Sequence, residues 1–445
     1  MQLQVEISYK QILRIALPIA VSILVPNINF ITNNIFLGHL SEGSLAIAGI
    51  TGVYYLVFGV MGFGLSNGLQ SLMSRRAGEN KIEELGSLFL QAVRIAIAFA
   101  ITGILVTYFI APVILKYALH KQEDAQMAIS FLRIRIWGLP FLYIYQMRNA
   151  LLVSINKSKY LIIGTLAETI ANVFFDYALI FGHFGFTALG FNGAAYASVI
   201  AEFIGLITIF GIIHYKGIDK NFHLFKNKRI NRKTIALILH QSSPIVLQFA
   251  ISTASWEFFY ILIEHHGTQP LAISNIMRNL FGIFGCFAWS FASASNTMVS
   301  NIIGQKLQHR VIELLYMITR LGLLFSVSIA VLINLFTKLF LSAYGQTESF
   351  IEAAIPVARI ISIALIFQSV STIWLNAVVG TGNSRRNLLT EIFAIIIYCV
   401  YVYAVLEYFN LSISVGWMSE WLYWITLFIP SFWYIHSNRW MNKKI

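Results

Sequence analysis

Charged positions in this chain are bunched, and the stretches between the bunches are apolar over roughly 20 residues or more, the length that spans a bilayer. Twelve such runs can be read, at 10–38, 45–75, 83–116, 124–155, 159–182, 191–215, 234–265, 270–303, 309–343, 350–381, 386–409 and 413–437. The pattern predicts an all-α membrane protein of twelve transmembrane helices in two pseudo-symmetric six-helix lobes. The first run, Ile12 to Leu37, is too long for the apolar core of a signal peptide. No small-residue cleavage site follows it, so it reads as a retained helix.

Composition supports this and excludes a soluble domain. The chain is 58% hydrophobic and 11% charged, against about 25% charged in a soluble protein, so it cannot cover a water-facing surface. A net charge of +12 would suit a nucleic-acid binder, so its location decides. Twenty basic residues fall in the termini and the even-numbered connections, among them Lys10, Arg75, Arg76, Lys157, Arg385 and Lys444. The odd connections hold only Lys116, Lys121 and Lys338. By the positive-inside rule the basicity is a topology signal. It places both termini in the cytoplasm of a bacterial inner membrane, with the lipid bilayer rather than nucleic acid as the large partner. Cys286 and Cys399 lie within apolar runs and fit ordinary buried thiols.

The longest polar stretch, KGIDKNFHLFKNKRINRK, falls at the midpoint and includes Lys228. It divides the chain into an N-lobe at 1–216, a cytoplasmic linker at 217–233 and a C-lobe at 234–445. A shift of 226 positions sets Pro18 on Pro244, His39 on His265, Phe58-Gly59 on Phe284-Gly285 and Gly78 on Gly304, without a gap. Each half has an even number of spans, so both enter from the same face and the repeat is parallel. Such architectures bind substrate between the halves and rock to alternate access.

Polar side chains inside spans are expensive and mark function by default. The fifth run carries Glu168, Asn172 and Asp176 at i, i+4 and i+8, a column on one helix face. The sixth adds Ser198 and Glu202, and the first Asn33 and Asn34. Carboxylates converging in a low dielectric take up protons near neutral pH, as a proton-coupled antiporter requires. The competing reading is a hydrogen-bonded cluster that stitches helices together. In the second half Glu257 lies well within the hydrocarbon layer, with Arg278 as its candidate ion-pair partner. Gln368, Asn376 and Glu391 are further polar positions, Gln368 serving equally well as interhelical glue. Gly62-Phe63-Gly64 reads as close helix packing. There is no phosphate-binding glycine loop, nucleophile elbow or zinc protease motif, so neither ATP-driven transport nor an enzyme is indicated. No cofactor is expected beyond a coupling ion.

Several segments are similar to the MATE multidrug-efflux family of the oligosaccharide-flippase superfamily. They are ITNNIFLGHLSEGSLAIAGI (Ile31 to Ile50), GFGLSNGLQSLMSRRAGENK (Gly62 to Lys81), ANVFFDYALIFG (Ala171 to Gly182) and GFNGAAYAS (Gly190 to Ser198), with GTGNS (Gly380 to Ser384) near the end. The resemblance implies export of cationic or amphipathic organic compounds in exchange for H⁺ or Na⁺ by a monomer. It implies ion coupling at Asn172 and Asp176, Ser198 where many members carry threonine, and a C-lobe site at Glu257. Two positions depart from the family. Asn33 and Gln368 stand where members carry aspartates, which weakens sodium binding because hard cations favour anionic oxygens. Protons are thus the expected coupling ion, with sodium at Asp176 or Glu257 second. A flippase of lipid-linked saccharide is the alternative, and it would draw on the embedded Arg94, Arg133, Arg135, Arg148, Arg278, Arg320 and Arg359. A membrane-embedded transferase is more remote, because the short loops lack clustered His, Asp or Arg.

Overall fold

A computed structural model describes residues 3–119, 121–226, 229–342, 344, 347–441 and 443, without the side chains at 28–31, 34, 42, 45, 46 and 118. The side chain of Asn34, together with Lys228 and Lys444, therefore lies outside the described residues. Those residues are helical, with no strand among them. The first half contains α1 (Tyr9–Leu40), α2 (Glu42–Gly78), α3 (Ile82–Phe109), α4 (Ala111–Ala118), α5 (Gln122–Arg135), α6 (Leu139–Ser154), α7 (Lys159–Phe181) and α8 (Phe191–Tyr215). After the short α9 (Ile218–Asn221) come α10 (Arg232–Glu264), α11 (Thr268–Gly304), α12 (Val311–Leu335), α13 (Thr337–Ser342), α14 (Glu348–Gly380), α15 (Ser384–Tyr403), α16 (Ile413–Trp417) and α17 (Ser419–His436).

Eleven segments are long and apolar enough to cross a membrane, and they coincide with the first eleven runs. The twelfth run folds as α16 and α17, which meet at Met418. Glu420 and the tryptophans and tyrosines of α17 lower its hydropathy, yet it completes the set of twelve. Breaks within runs have local causes. Pro112 lies in the first turn of α4, which begins at Ala111 directly after Ile110, and Pro140 lies in the first turn of α6, which follows a 3-10 turn at Ile136–Gly138. Proline at the first turn loses no helical hydrogen bond, but it stops the preceding helix from running through.

The chain forms two compact units, one of Met1–Ala20, Ala77–Glu79 and Leu247–Ile445, the other of Val21–Arg76 and Asn80–Val246. In the second unit Gly64 and Gly68 of α2 let the start of α10 approach closely. A Cβ at Gly64 would lie 2.8 Å from the Val246 Cα, and one at Gly68 2.7 Å from the Ser242 Cα. Gly62 faces the Tyr143 ring and Gln146 of α6 in the same way. Contacts this short let helix backbones meet in lipid, where no hydrophobic effect draws them together.

The polar linker departs from a free connection. Ile218, Phe222 and Leu224 are fully buried. The Phe222 and His223 carbonyls sit where a Cβ on Gly86 of α3 would otherwise be, at 2.4 and 2.6 Å. Gln91 and Arg94 donate to the Arg229 carbonyl at 3.0 and 3.1 Å. The described part of the linker is thus docked on α3 through Ile218, Phe222 and Leu224, while its lysines and also Phe225 and Ile230 are exposed.

Candidate ion-coupling site

α7 and α8 form an antiparallel hairpin. Its turn opens at Gly182, whose φ of +79° suits glycine, and the Gly182 and His183 N–H groups both return to the Ala178 carbonyl. Small residues on α8 bring the pair together: a Cβ on Gly193 would lie 2.6 Å from the Leu179 carbonyl oxygen, and one on Gly205 2.9 Å from the Glu168 Cβ. This register sets the predicted column of α7 against α8. Asn172 donates to the Ser198 Oγ at 3.5 Å. Asp176, one turn further on, is fully buried, and Arg135 is the charged group acting on it. Asn33 of α1 is half-buried and belongs to the same unit.

Glu202, predicted beside this column, is held in an ion pair. Arg135, at the end of α5, clasps it with both guanidinium arms, at 3.0 Å to Oε2 and 2.6 Å to Oε1. Tyr55 of α2 donates to Oε1 at 3.4 Å, and its ring lies 3.8 Å beneath the Arg135 guanidinium carbon. Gly138 makes room for the clasp, since a Cβ there would fall 2.0 Å from the Glu202 Oε2. A fork-to-carboxylate pair with a ring beneath it is a strong, directional arrangement.

The C-lobe candidates are dispersed. Glu257 is half-buried on α10. Arg278 makes no ion pair with it among the described residues and instead stands 5.0 Å from the centre of the Tyr260 ring. Gln368 is buried on α14, its amide 3.2 Å from where a Cβ on Gly285 of α11 would lie, and its Oε1 meets no donor. The better-built polar cluster is around Glu391 of α15. Its carboxylate accepts hydrogen bonds from Gln248 at 3.0 Å and from the Tyr423 hydroxyl. Asn387 in turn holds the Gln248 carbonyl oxygen at 2.7 Å, and Ser252 meets the Tyr423 hydroxyl at 3.0 Å.

The family model MatE matches the chain twice, at residues 18–178 and 244–404. The chain belongs to the MatE family. The two matched segments are displaced by 226 positions at both ends, the same register as the internal repeat. A probable multidrug resistance protein NorM of Thermotoga maritima is 24% identical over 416 residues, covering 92% of this chain and 88% of that protein. One of the same description from Synechocystis is 23% identical over 355 residues, covering 78% and 73%. Two solved structures share the fold at 16% identity. A MOP-superfamily transporter from Pyrococcus furiosus has a TM-score of 0.88, with 98% of this chain and 97% of that one covered. An outward-facing MATE-family transporter of the MOP superfamily has a TM-score of 0.86, covering 96% and 95%. This MatE chain is accordingly a membrane transporter and not an enzyme.

In this MatE fold several of the side chains that surround the predicted acids were not identified as site members from the sequence. Arg135 and Arg148 could be recognised as embedded arginines, but not as neighbours of α7 and α8. Arg94 and Arg133, grouped with them, lie at the periphery, on the Arg229 carbonyl and the Tyr108 ring. Glu420, which the sequence reading does not include, is buried on α17 and accepts a hydrogen bond from the Trp424 indole at 3.0 Å. Its spacing of four residues from Trp424 was the available signal.

Proposed function

We propose that this MatE transporter is a secondary antiporter that exports cationic or amphipathic organic compounds in exchange for H⁺ by rocker-switch alternating access. The observation that carries the reading is Asp176, a fully buried carboxyl one turn from the Asn172–Ser198 contact. A carboxylate is costly in such surroundings and is neutralised by a proton or a cation. With asparagine at 33 and glutamine at 368, the oxygen ligands that would make a firm sodium site are uncharged at both positions, which favours the proton over Na⁺. Arg135, the charged group acting on Asp176, has its charge met by Glu202. That argues against an anionic sugar-phosphate cargo and for a cationic one, as does the description of the NorM relatives as multidrug resistance proteins. Cargo and proton then compete by linkage, each weakening the binding of the other. The transporter works as a monomer in a bacterial inner membrane, with both termini and the basic linker in the cytoplasm.

The test is efflux of a cationic dye from proteoliposomes under an imposed pH gradient or an imposed sodium gradient, applied separately. The pH gradient alone should drive the wild type and fail to drive Asp176→Asn. Transport driven by sodium alone would overturn the reading.

A further inference from the structure

Arg148 of α6 is fully buried, and its guanidinium carbon stands 3.9 Å over the ring of Tyr145. None of its three side-chain nitrogens meets an acceptor at hydrogen-bonding geometry. The Tyr145 hydroxyl is engaged with the Thr165 Oγ1 at 2.7 Å, which itself donates to the Leu161 carbonyl at 3.1 Å. A guanidinium cannot shed its proton. A buried guanidinium whose nitrogens lack a well-formed hydrogen bond is a costly arrangement unless a nearby charge answers it.

The carboxylate that can answer it is Glu168. Arg148 reaches α7 at Gly164, where a Cβ would stand 3.4 Å from its Nη1. Glu168 is one turn further along, a rise of about 6 Å, with its Oε2 3.3 Å from where a Cβ on Gly205 would lie. Glycines at 164 and 205 leave the space between the two groups open. The charged and titratable groups facing Glu168 come from three elements: Arg148 and Tyr145 of α6, Arg135 of α5 and Glu202 of α8. Arg135 and Glu202 already satisfy one another, so Arg148 is the counter-charge left for Glu168.

We propose that Arg148 is the positioning counter-ion of Glu168, and that the pair closes across Gly164 when Glu168 is ionised and parts when Glu168 takes a proton. In this structure no ion pair joins the two groups. The inference rests on the proton-coupled reading above and adds a device to it: protonation of one carboxyl releases a buried counter-charge between α6 and α7. Arg148 acts through Glu168 and need not touch cargo.

The experiment is a double-mutant cycle in purified full-length protein. The thermal midpoints of wild type, Arg148→Gln, Glu168→Gln and the double variant are read from about pH 5 to about pH 9, a range that covers buried carboxyls. The midpoint loss caused by Arg148→Gln should grow with pH and should vanish in the Glu168→Gln background. A loss that is constant with pH, or unchanged in that background, would overturn the proposal. If Arg148→Gln does not fold, folding of the double variant supports the pair, and failure of both counts against it. Arg148→Lys, which keeps the charge, should retain the pH-dependent difference. Dye efflux under a pH gradient is measured on the same samples. Wild type that shows the stability cycle but no proton-driven efflux would fail the antiport reading while leaving the ion pair standing.

Discussion

Replacing Glu202 by glutamine keeps the shape of the side chain and removes its charge. In the structure Arg135 would then face one amide oxygen in place of a bidentate carboxylate. Removing one member of a buried ion pair costs about 3–5 kcal/mol, most of it from the charge left behind. The Arg135 side chain is only 14% exposed, so water relieves little of this. Two contacts survive: one hydrogen bond to the amide oxygen and the stacking on Tyr55, worth about 1 kcal/mol each or somewhat more. The expected net loss is about 1–3 kcal/mol. For a unit of this size it would appear as a fall in midpoint of roughly 2–12 °C in detergent. The partner variant Arg135→Gln should lose a similar amount. The double variant Arg135→Gln/Glu202→Gln should recover most of it, since two neutral amides leave no buried charge. The decisive result is the sign of the coupling in this cycle. A double variant less stable than either single one, with Glu202→Gln within about 1 kcal/mol of wild type, would mean that the pair is solvated and holds nothing.

Three further outcomes follow from the geometry. Gly138→Ala should mimic part of the Glu202→Gln loss, because its methyl would fall 2.0 Å from the Glu202 Oε2 and 2.5 Å from an Arg135 nitrogen; a loss that largely disappears in the Arg135→Ala/Glu202→Ala background, where both neighbouring side chains are gone, would confirm the cause. Glu391→Gln should be tolerated within about 1 kcal/mol, since glutamine can accept from Gln248 and donate to Tyr423, whereas Glu391→Leu strands two donors and should cost about 2–5 kcal/mol. Equal losses for the two Glu391 variants in a denaturation series would refute that account. Outside the membrane, the hydrogen bond from His214 at 2.7 Å pulls the Asp219 carboxyl below its ordinary range. Its small contribution is present above the ordinary carboxylate range and lost as pH falls through the lowered value. Asp219→Asn should therefore lower the midpoint slightly at neutral pH and match the wild type in acid, so that the acid limb of its stability profile is flatter.

What the sequence made legible follows from what the bilayer demands. Span lengths and positions were readable because hydrocarbon thickness is fixed, and the repeat register was readable because Gly78 and Gly304, or Phe58-Gly59 and Phe284-Gly285, hold one offset. The GxG at Gly62 proved to be close packing, as small residues in lipid-buried helices generally are. The docked linker was not legible: Phe222 and Leu224 sit among lysines, and no periodicity announces a three-residue apolar anchor. Nor was the partner of Arg278. Its guanidinium lies on the Tyr260 ring and not on Glu257, because sequence separation says nothing about which of two neighbours a long side chain will choose.

The same limit bears on the site, and there it has a consequence. Spacing at i, i+4 identified the face shared by Glu168, Asn172 and Asp176, and the face shared by Ser198 and Glu202, but not the charges that answer them. Arg135 is 67 residues from Glu202 and was visible only as one embedded arginine among seven. With the neighbours in place the charge can be counted. Among the described residues this region gathers three carboxyls, Glu168, Asp176 and Glu202, and two guanidiniums, Arg135 and Arg148. The arginines stay charged throughout, so one carboxyl is in excess, and a single proton makes the cluster neutral. If transport runs through this cluster, one proton should cross per turnover at this unit. The ratio is measurable as the pH gradient that just balances an imposed dye gradient in proteoliposomes. A balance point requiring two protons in wild type, falling to one in Glu168→Gln, would show that Asp176 and Glu168 each exchange a proton of their own and would refute the single-proton count.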